Sequence, residues 1–106
     1  MQAFDIGELK SKLDNSGKLY LEFLRAPSLS MGLYELEAGQ EDPQQPHNED
    51  EVYYVVAGRG RLRVGENDQS VAPGSIVFVP AKVPHRFHST AEDLSVLVFF
   101  APAESV

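Results

Sequence analysis

Hydrophobic and polar residues alternate over most of the chain, in short segments separated by Gly and Pro. Alternation of this kind places the apolar side chains on one face of a β-strand, so each segment is predicted to be a strand that buries one face. The predicted strands are residues 19–24, 29–36, 51–57, 61–64, 70–72, 75–79, 84–89 and 94–100. Short strands at this spacing favour an all-β sandwich or barrel, and no long helix lies between them as parallel βαβ units require.

The N-terminal segment has helical periodicity instead. Three apolar residues recur at helical spacing between residues 5 and 13 and form one apolar edge. Asp5 is the expected N-cap, and Glu8 is placed to complete a capping box. We therefore predict a short N-terminal helix that is followed by a strand, together covering residues 5–25.

Length and composition are those of one globular domain. The chain has 106 residues, of which 42% are apolar and 24% are charged. We predict a single domain over residues 1–106, with a β-barrel core at about residues 30–101. The absence of Cys excludes disulfides, thiolate catalysis and iron–sulfur clusters.

Charge and hydropathy narrow the expected partners and location. Acidic residues outnumber basic ones by 16 to 9 and the net charge is −7, so neither nucleic acid nor an anionic membrane is an expected partner. The N-terminus lacks the basic and apolar regions of a signal peptide, and no apolar stretch reaches the roughly 20 residues that cross a bilayer. We expect a cytoplasmic protein.

One constellation of polar residues begins after the second predicted strand. Gly39 is followed after five residues by Gln45, then by His47 after one residue, Glu51 after three and Gly58 after six. An isolated His is usually structural, because imidazole has many structural uses. Here, however, His47 and Glu51 lie close together in sequence, at defined distances from Gly39 and Gly58.

A second constellation lies near the C-terminus, where Gly74 is followed after five residues by Pro80 and after four more by His85. Together the two stretches resemble the paired motifs of the cupin superfamily, in particular its small single-domain bacterial members. The first motif matches with every gap in register, although Gln45 stands where the family has a His. In the second motif Lys82 replaces a Gly and Ser89 replaces an Asn.

The resemblance implies a small β-barrel, or jelly roll, with a metal held on inward-facing side chains. It assigns His47, Glu51 and His85 as ligands, while Gln45 would face the same way as His47 on an extended chain. Imidazole and carboxylate suit a divalent transition metal such as Fe, Mn, Zn or Ni. Two His and one carboxylate also form the facial set of non-haem Fe(II) oxygenases, which leaves coordination positions open.

Gln45 changes the expected metal preference. Its amide oxygen is a weaker ligand than imidazole, so it is expected either to be a fourth ligand or to hold a metal-bound water. The missing imidazole should weaken binding of Zn and Ni and favour Mn or Fe in relative terms. The alternative is a cupin pocket that holds no metal.

Other polar and aromatic residues receive more ordinary interpretations. His88 lies three residues beyond His85, which turns it to the outer face or to a dimer surface. Arg61 and Arg63 share a strand face, which is more often an exposed charged face than an anion-binding pocket wall. Four acidic residues are expected at a solvated rim, namely Glu41, Asp42, Glu49 and Asp50, and four aromatic residues in the core or pocket lining, namely Tyr53, Phe78, Phe87 and Phe99.

Three classes of function fit this interpretation: a metal-dependent enzyme acting on a small organic molecule, a non-catalytic small-molecule binder, and a structural or storage protein. Within the first class a dioxygenase is favoured over an isomerase, because no Lys or further pocket His presents itself as a base. Whether the chain is an enzyme stays open.

We also predict a homodimer, because the apolar segment Leu19–Leu24 is difficult for a small domain to bury alone.

Overall fold

The computed structural model describes residues 1–105, which form one helix followed by eight strands. The all-β class and the N-terminal helix predicted above are confirmed. No helix within the described range is long and apolar enough to cross a membrane. The elements are α1 (Ile6–Ser16), β1 (Tyr20–Ala26), β2 (Leu29–Leu36), β3 (Asp50–Ala57), β4 (Gly60–Val64), β5 (Asn67–Val71), β6 (Ile76–Val79), β7 (His85–His88) and β8 (Leu94–Ala101).

The capping signals place helix α1 at the expected start. Asp5 is the N-cap, and its Oδ2 accepts a hydrogen bond from the backbone N–H of Glu8 at 3.1 Å. The helix runs to Ser16 rather than to residue 13, because the residue that ends it is Gly17, which adopts the left-handed conformation with φ 73°.

Two antiparallel sheets face each other. The larger has the order β1-β2-β8-β3-β6 and the smaller has the order β5-β4-β7. Alternate residues of each strand point inward, so Tyr53 of β3 and Phe87 of β7 are buried between the sheets. They belong to the main core, together with Tyr34, Leu36, Val55, Leu62, Val71, Val79, Leu94, Val96, Val98 and Phe100.

Helix α1 covers part of the outer face of the larger sheet. Leu9 and Leu13 of the helix pack with Leu33 of β2 in a second buried cluster, and Leu21 and Phe23 of β1 pack against it. The apolar N-terminal strand is therefore partly covered within its own chain. This contact weakens the reason for placing a dimer interface there.

The opposite part of that outer face carries exposed apolar side chains. Tyr54 of β3 is paired with Ile76 of β6, and Phe78 lies two residues further along β6. Ile76 is 70% exposed and Phe78 is 57% exposed. The prediction that Phe78 lies in the core or lines the pocket is therefore wrong, because its register on β6 turns it outward.

The turn between β6 and β7 contains a strained residue. Lys82 has φ 66°, in the left-handed region that favours Gly, and its N–H donates to the carbonyl of His47 at 2.6 Å. This is the position at which the resemblance expects a Gly. The Cβ of Lys82 makes this left-handed conformation strained, whereas the backbone N–H of Lys82 makes the hydrogen bond to His47.

Replacing Lys82 with Gly should stabilise the protein. The left-handed conformation costs an L-residue roughly 1–2 kcal/mol, part of which is offset by the greater backbone freedom of Gly in the unfolded chain. We expect Lys82→Gly to raise the free energy of unfolding in urea by about 0.5–1 kcal/mol. Lys82→Ala is the matched control, since it removes the charge but keeps the Cβ. Equal stability of the two variants would contradict this account.

Candidate metal centre

Three side chains with metal-ligand chemistry meet between the sheets. Glu51 is the second residue of β3 and points inward, and His85 begins β7 and also points inward. His47 lies in the irregular segment before β3, with its side chain 19% exposed. One ligand atom from each of the three residues lies within 4.8 Å of the others. The structure thus brings together residues from both sequence motifs.

Both imidazoles are oriented by a partner on their far side. Nδ1 of His85 lies 2.9 Å from the carbonyl oxygen of Val83, and Nδ1 of His47 lies 3.2 Å from Oε2 of Glu104. Acceptors at these positions hold the proton on Nδ1 and leave Nε2 with its lone pair. The Nε2 atoms of His85 and His47 face Oε1 of Glu51, at 3.1 Å and 3.8 Å respectively. This is how proteins orient metal-binding His.

The atoms that converge are buried and lack hydrogen bonds. Within the described residues, Nε2 of His47, Nε2 of His85 and Oε2 of Glu51 have no hydrogen-bond partner. The 3.1 Å separation between His85 and Glu51 is short enough for a hydrogen bond, but its angles are not those of one. Buried polar atoms are normally satisfied, so this set calls for an additional group. Two imidazole nitrogens and a carboxylate oxygen fit a divalent transition metal.

The local electrostatics follow from burial and from the carboxylates. Burial opposes protonation of His85, but the neighbouring Glu51 carboxylate and the carbonyl of Val83 outweigh it and raise the pKa of the imidazole. Burial also raises the pKa of Glu104, and the nearby His47 acts in the opposite direction. Tyr20 and Tyr53 have pKa values raised mainly by burial, so their hydroxyls are neutral hydrogen-bond donors near pH 7.

A small cavity lies beside His47. Its volume is about 140 Å³. Two apolar side chains of β8 form part of its wall. The other lining residues carry polar groups and lie on β1, on β2, in the loop before β3 and in the C-terminal segment. The lining residues are Tyr20, Tyr34, Gln44, His47, Val98, Phe100 and Glu104.

Comparison with protein families identifies the fold family. The family model described as the cupin domain matches residues 32–100, which is well over half of the chain and contains all three clustered side chains. The chain belongs to the cupin family. The recognition made from the two motifs is confirmed.

Individual proteins resemble this cupin over different extents. The uncharacterized protein SCO3923 of Streptomyces coelicolor is 50% identical over 105 residues, which is 99% of this chain and 100% of that protein. The crystal structure of TT1209 from Thermus thermophilus superposes with a TM-score of 0.74 at 28% identity, covering 97% of this chain and 99% of that one. The DMSP lyase DddQ from Ruegeria pomeroyi DSS-3 gives a TM-score of 0.67 at 26% identity over 72% of this chain. This cupin spans only 39% of the lyase chain.

Gln45 does not join the cluster in this cupin. Its side chain is exposed, whereas that of the preceding residue, Gln44, turns inward and contacts Tyr53. The prediction of a shared face for Gln45 and His47 assumed an extended strand, but β3 begins only at Asp50. The role of Gln45 as a fourth ligand or water anchor stays a prediction, and its exposed side chain gives that role no support.

Gln44 is an interior residue that the sequence analysis missed. Its Oε1 accepts from the Tyr53 hydroxyl at 2.9 Å, and its Nε2 donates to Oδ2 of Asp42 at 2.8 Å. The signal available in the sequence is that Pro43 and Pro46 flank the pair of glutamines. Proline interrupts strand pairing, which makes arguments from strand alternation unsafe there.

Two of the four acidic residues assigned to a solvated rim are buried instead. Asp42 and Glu49 are each 6% exposed, whereas Glu41 and Asp50 are exposed as expected. Asp42 accepts hydrogen bonds from the Tyr34 hydroxyl at 2.5 Å and from other groups of the core and loop. Glu49 accepts from the backbone N–H of Ser105 at 3.1 Å. Glu49 thus serves as an acceptor for the C-terminal segment, and Asp42 serves as an acceptor for Tyr34 of β2 and for the unpaired edge of β7.

His88 and the arginines lie on the outer face of the smaller sheet. Nε2 of His88 is 2.8 Å from Oδ2 of Asp68, and Nε of Arg61 is 2.9 Å from Oδ1 of the same carboxylate. Arg63 is exposed. The outer-face interpretation of His88 and the exposed-face interpretation of the arginines agree with these positions.

Proposed function

We propose that this cupin holds one divalent transition metal on His47, Glu51 and His85 and uses it to bind or transform a small organic molecule between the sheets. The observation that carries the proposal is the convergence of three buried ligand-type atoms without hydrogen bonds. A metal held by two imidazoles and one carboxylate supplies a Lewis-acid centre with open coordination positions. Fe, Mn, Zn and Ni all suit this donor set.

A dioxygenase is the reaction that the donor set favours first, because two His and one carboxylate recur in non-haem Fe(II) oxygenases. A lyase is the second candidate, and its support is the likeness to the DMSP lyase at 26% identity. Raised pKa values keep the Tyr20 and Tyr53 hydroxyls protonated near pH 7, so neither is a ready base. An isomerase that needs such a base is less well supported.

Elemental analysis of protein purified without added metal tests the proposal. We expect about one transition-metal ion per chain, because the site presents three converging ligands, of which both imidazoles are oriented by a partner. Fe or Mn would favour the dioxygenase, and Zn or Ni would favour the lyase. Protein that contains no metal and takes up none of these four ions would refute the metal site and favour a non-catalytic binder.

We also propose that two copies of the chain associate and that the protein is cytoplasmic. The surface that supports a dimer is the outer face around Tyr54, Ile76 and Phe78, since a two-fold pairing lets each copy cover the apolar side chains of the other. Light scattering should give twice the chain mass of 11.7 kDa, and Phe78→Lys should give the single-chain mass. A wild-type mass near 11.7 kDa at micromolar concentration would contradict the dimer.

A further inference from the structure

The hydroxyl of Tyr20 is a buried donor with no assigned function. Within the described residues no group accepts a hydrogen bond from it, although the oxygen is shielded from solvent. Leaving a buried hydroxyl unsatisfied costs about 1–3 kcal/mol. Its pKa is raised, first by burial and then by the nearby carboxylates of Glu104 and Glu22, so the group keeps its proton and its capacity to donate.

The backbone is shaped to admit this ring. Tyr20 lies on β1, and its ring crosses Gly32 of β2 to reach the interior, where it meets Phe100 edge-on with ring centroids 6.4 Å apart. A Cβ built on Gly32 would lie 2.1–2.3 Å from three atoms of the Tyr20 ring and hydroxyl. Any residue other than Gly would therefore displace the ring. Tyr20 and Gly32 together place a hydrogen-bond donor inside the protein. The cost is the packing that a larger side chain at position 32 of β2 would provide.

Tyr20 and His47 line the same cavity of about 140 Å³. Other polar groups on its wall already have partners within the protein: the Tyr34 hydroxyl donates to Asp42, Gln44 bridges Tyr53 and Asp42, and Glu104 holds His47. Among the residues that line it, His47 and Tyr20 each carry a buried polar atom that lacks a partner within the described residues, Nε2 and the hydroxyl respectively. Tyr20 thus supplies a donor beside the residue that we propose as a metal ligand.

We propose that Tyr20 recognises the substrate, and that the substrate is a small molecule of about six non-hydrogen atoms whose uncharged carbonyl oxygen faces Tyr20. The inference rests on the proposed function in taking the cavity beside His47 as the substrate site. A water molecule occupies about 30 Å³, so 140 Å³ accommodates fewer than five waters or one short organic molecule. Val98 and Phe100 contact its apolar part, and its carbonyl oxygen accepts from Tyr20.

The charge of the ligand follows from the groups around the hydroxyl. Glu104 lines the cavity together with Tyr20, and no Lys or Arg is among the described lining residues, so the potential there is negative in the metal-free protein. In addition to burial, the carboxylates of Glu104, Glu22 and Glu51 raise the pKa of Tyr20, and Arg25 opposes them. A carboxylate facing Tyr20 would be repelled by that potential, whereas a neutral carbonyl oxygen is accepted. The recognised oxygen is therefore that of a ketone, ester or amide.

The probes for this inference are butyramide and butyrate, which have nearly the same shape and differ in charge. NMR titration is done on the chelator-treated protein, because a bound divalent metal would add positive charge beside the cavity. We expect butyramide to bind more tightly than butyrate to the chelator-treated protein. Tighter binding of butyrate would overturn the assigned ligand class.

Tyr20→Phe tests the residue itself, with Tyr54→Phe on the exposed outer face as the matched control. Loss of one neutral hydrogen bond should weaken butyramide binding about 5- to 10-fold. The ligand-free melting temperature should not fall, because no described residue accepts a hydrogen bond from the hydroxyl. Tyr54→Phe should change neither quantity.

Two results would overturn the assignment of Tyr20: unchanged butyramide affinity in Tyr20→Phe, or a lower melting temperature, which would reveal a structural partner for the hydroxyl. Metal content separates this inference from the proposed function. Tyr20→Phe should retain the wild-type metal content, because the hydroxyl is not a ligand. If wild-type protein binds no metal while butyramide binding still depends on Tyr20, the metal proposal fails and the recognition role stands.

Discussion

Replacing His85 with Ala should lower metal affinity by at least about 100-fold. The binding free energy of zinc at structural sites with four ligands is about 10–16 kcal/mol, or roughly 3 kcal/mol for each ligand. Each 1.4 kcal/mol changes the dissociation constant tenfold. His85 contributes a buried Nε2 atom that Val83 holds in place. His47→Ala should have a similar effect, and Glu51→Gln should too, because it removes the only anionic ligand. Metal titration followed by elemental analysis measures the loss.

The matched control is His88→Ala. His88 is three residues from His85 on the same strand, but it faces outward and contacts Asp68 at 2.8 Å. Its loss should leave metal content unchanged, as should the loss of the exposed Gln45. If the metal is retained after His47 and His85 are replaced together, the site lies elsewhere and the proposed function is wrong.

The resemblance to the cupin motifs predicted the parts of the site that lie on strands, and strand alternation agrees with it. Glu51 and His85 are separated by more than thirty residues, yet each shares its inward face with an aromatic residue two positions along, Tyr53 and Phe87. The period of two is imposed by the backbone, so it can be counted from the sequence. The same counting placed His88 on the opposite face.

The irregular segments of the site could not be predicted in this way. Gln44 and Asp42 turn inward because of hydrogen bonds to side chains and to an edge strand, and no periodicity encodes those contacts. Glu104 is 57 residues from His47 in sequence and reaches it only because the C-terminal segment returns across β1 and β2. Contacts of this kind depend on the assembled fold rather than on local pattern.

Asp42 illustrates how one such residue stabilises the whole site. Its Oδ2 accepts from the backbone N–H of Phe87 at 2.8 Å, and β7, which carries Phe87, is an edge strand whose other side pairs with β4. Its Oδ1 accepts from the Tyr34 hydroxyl at 2.5 Å, and both oxygens are near nitrogens of Gln44. The carboxylate therefore joins the two sheets and the loop that leads to His47.

We expect Asp42→Ala to lower the free energy of unfolding by about 3–5 kcal/mol, a large share of the total of about 5–15 kcal/mol. The change leaves the Tyr34 hydroxyl and the Phe87 N–H buried without acceptors, and each such group costs about 1–3 kcal/mol. Asp42→Asn should cost less, because one amide oxygen still accepts. The control is Glu41→Ala, which removes a charge of the same sign at the exposed neighbouring position and should alter stability by less than about 0.5 kcal/mol. Urea unfolding measures all three, and an Asp42→Ala protein as stable as Glu41→Ala would show that these hydrogen bonds do not support the fold.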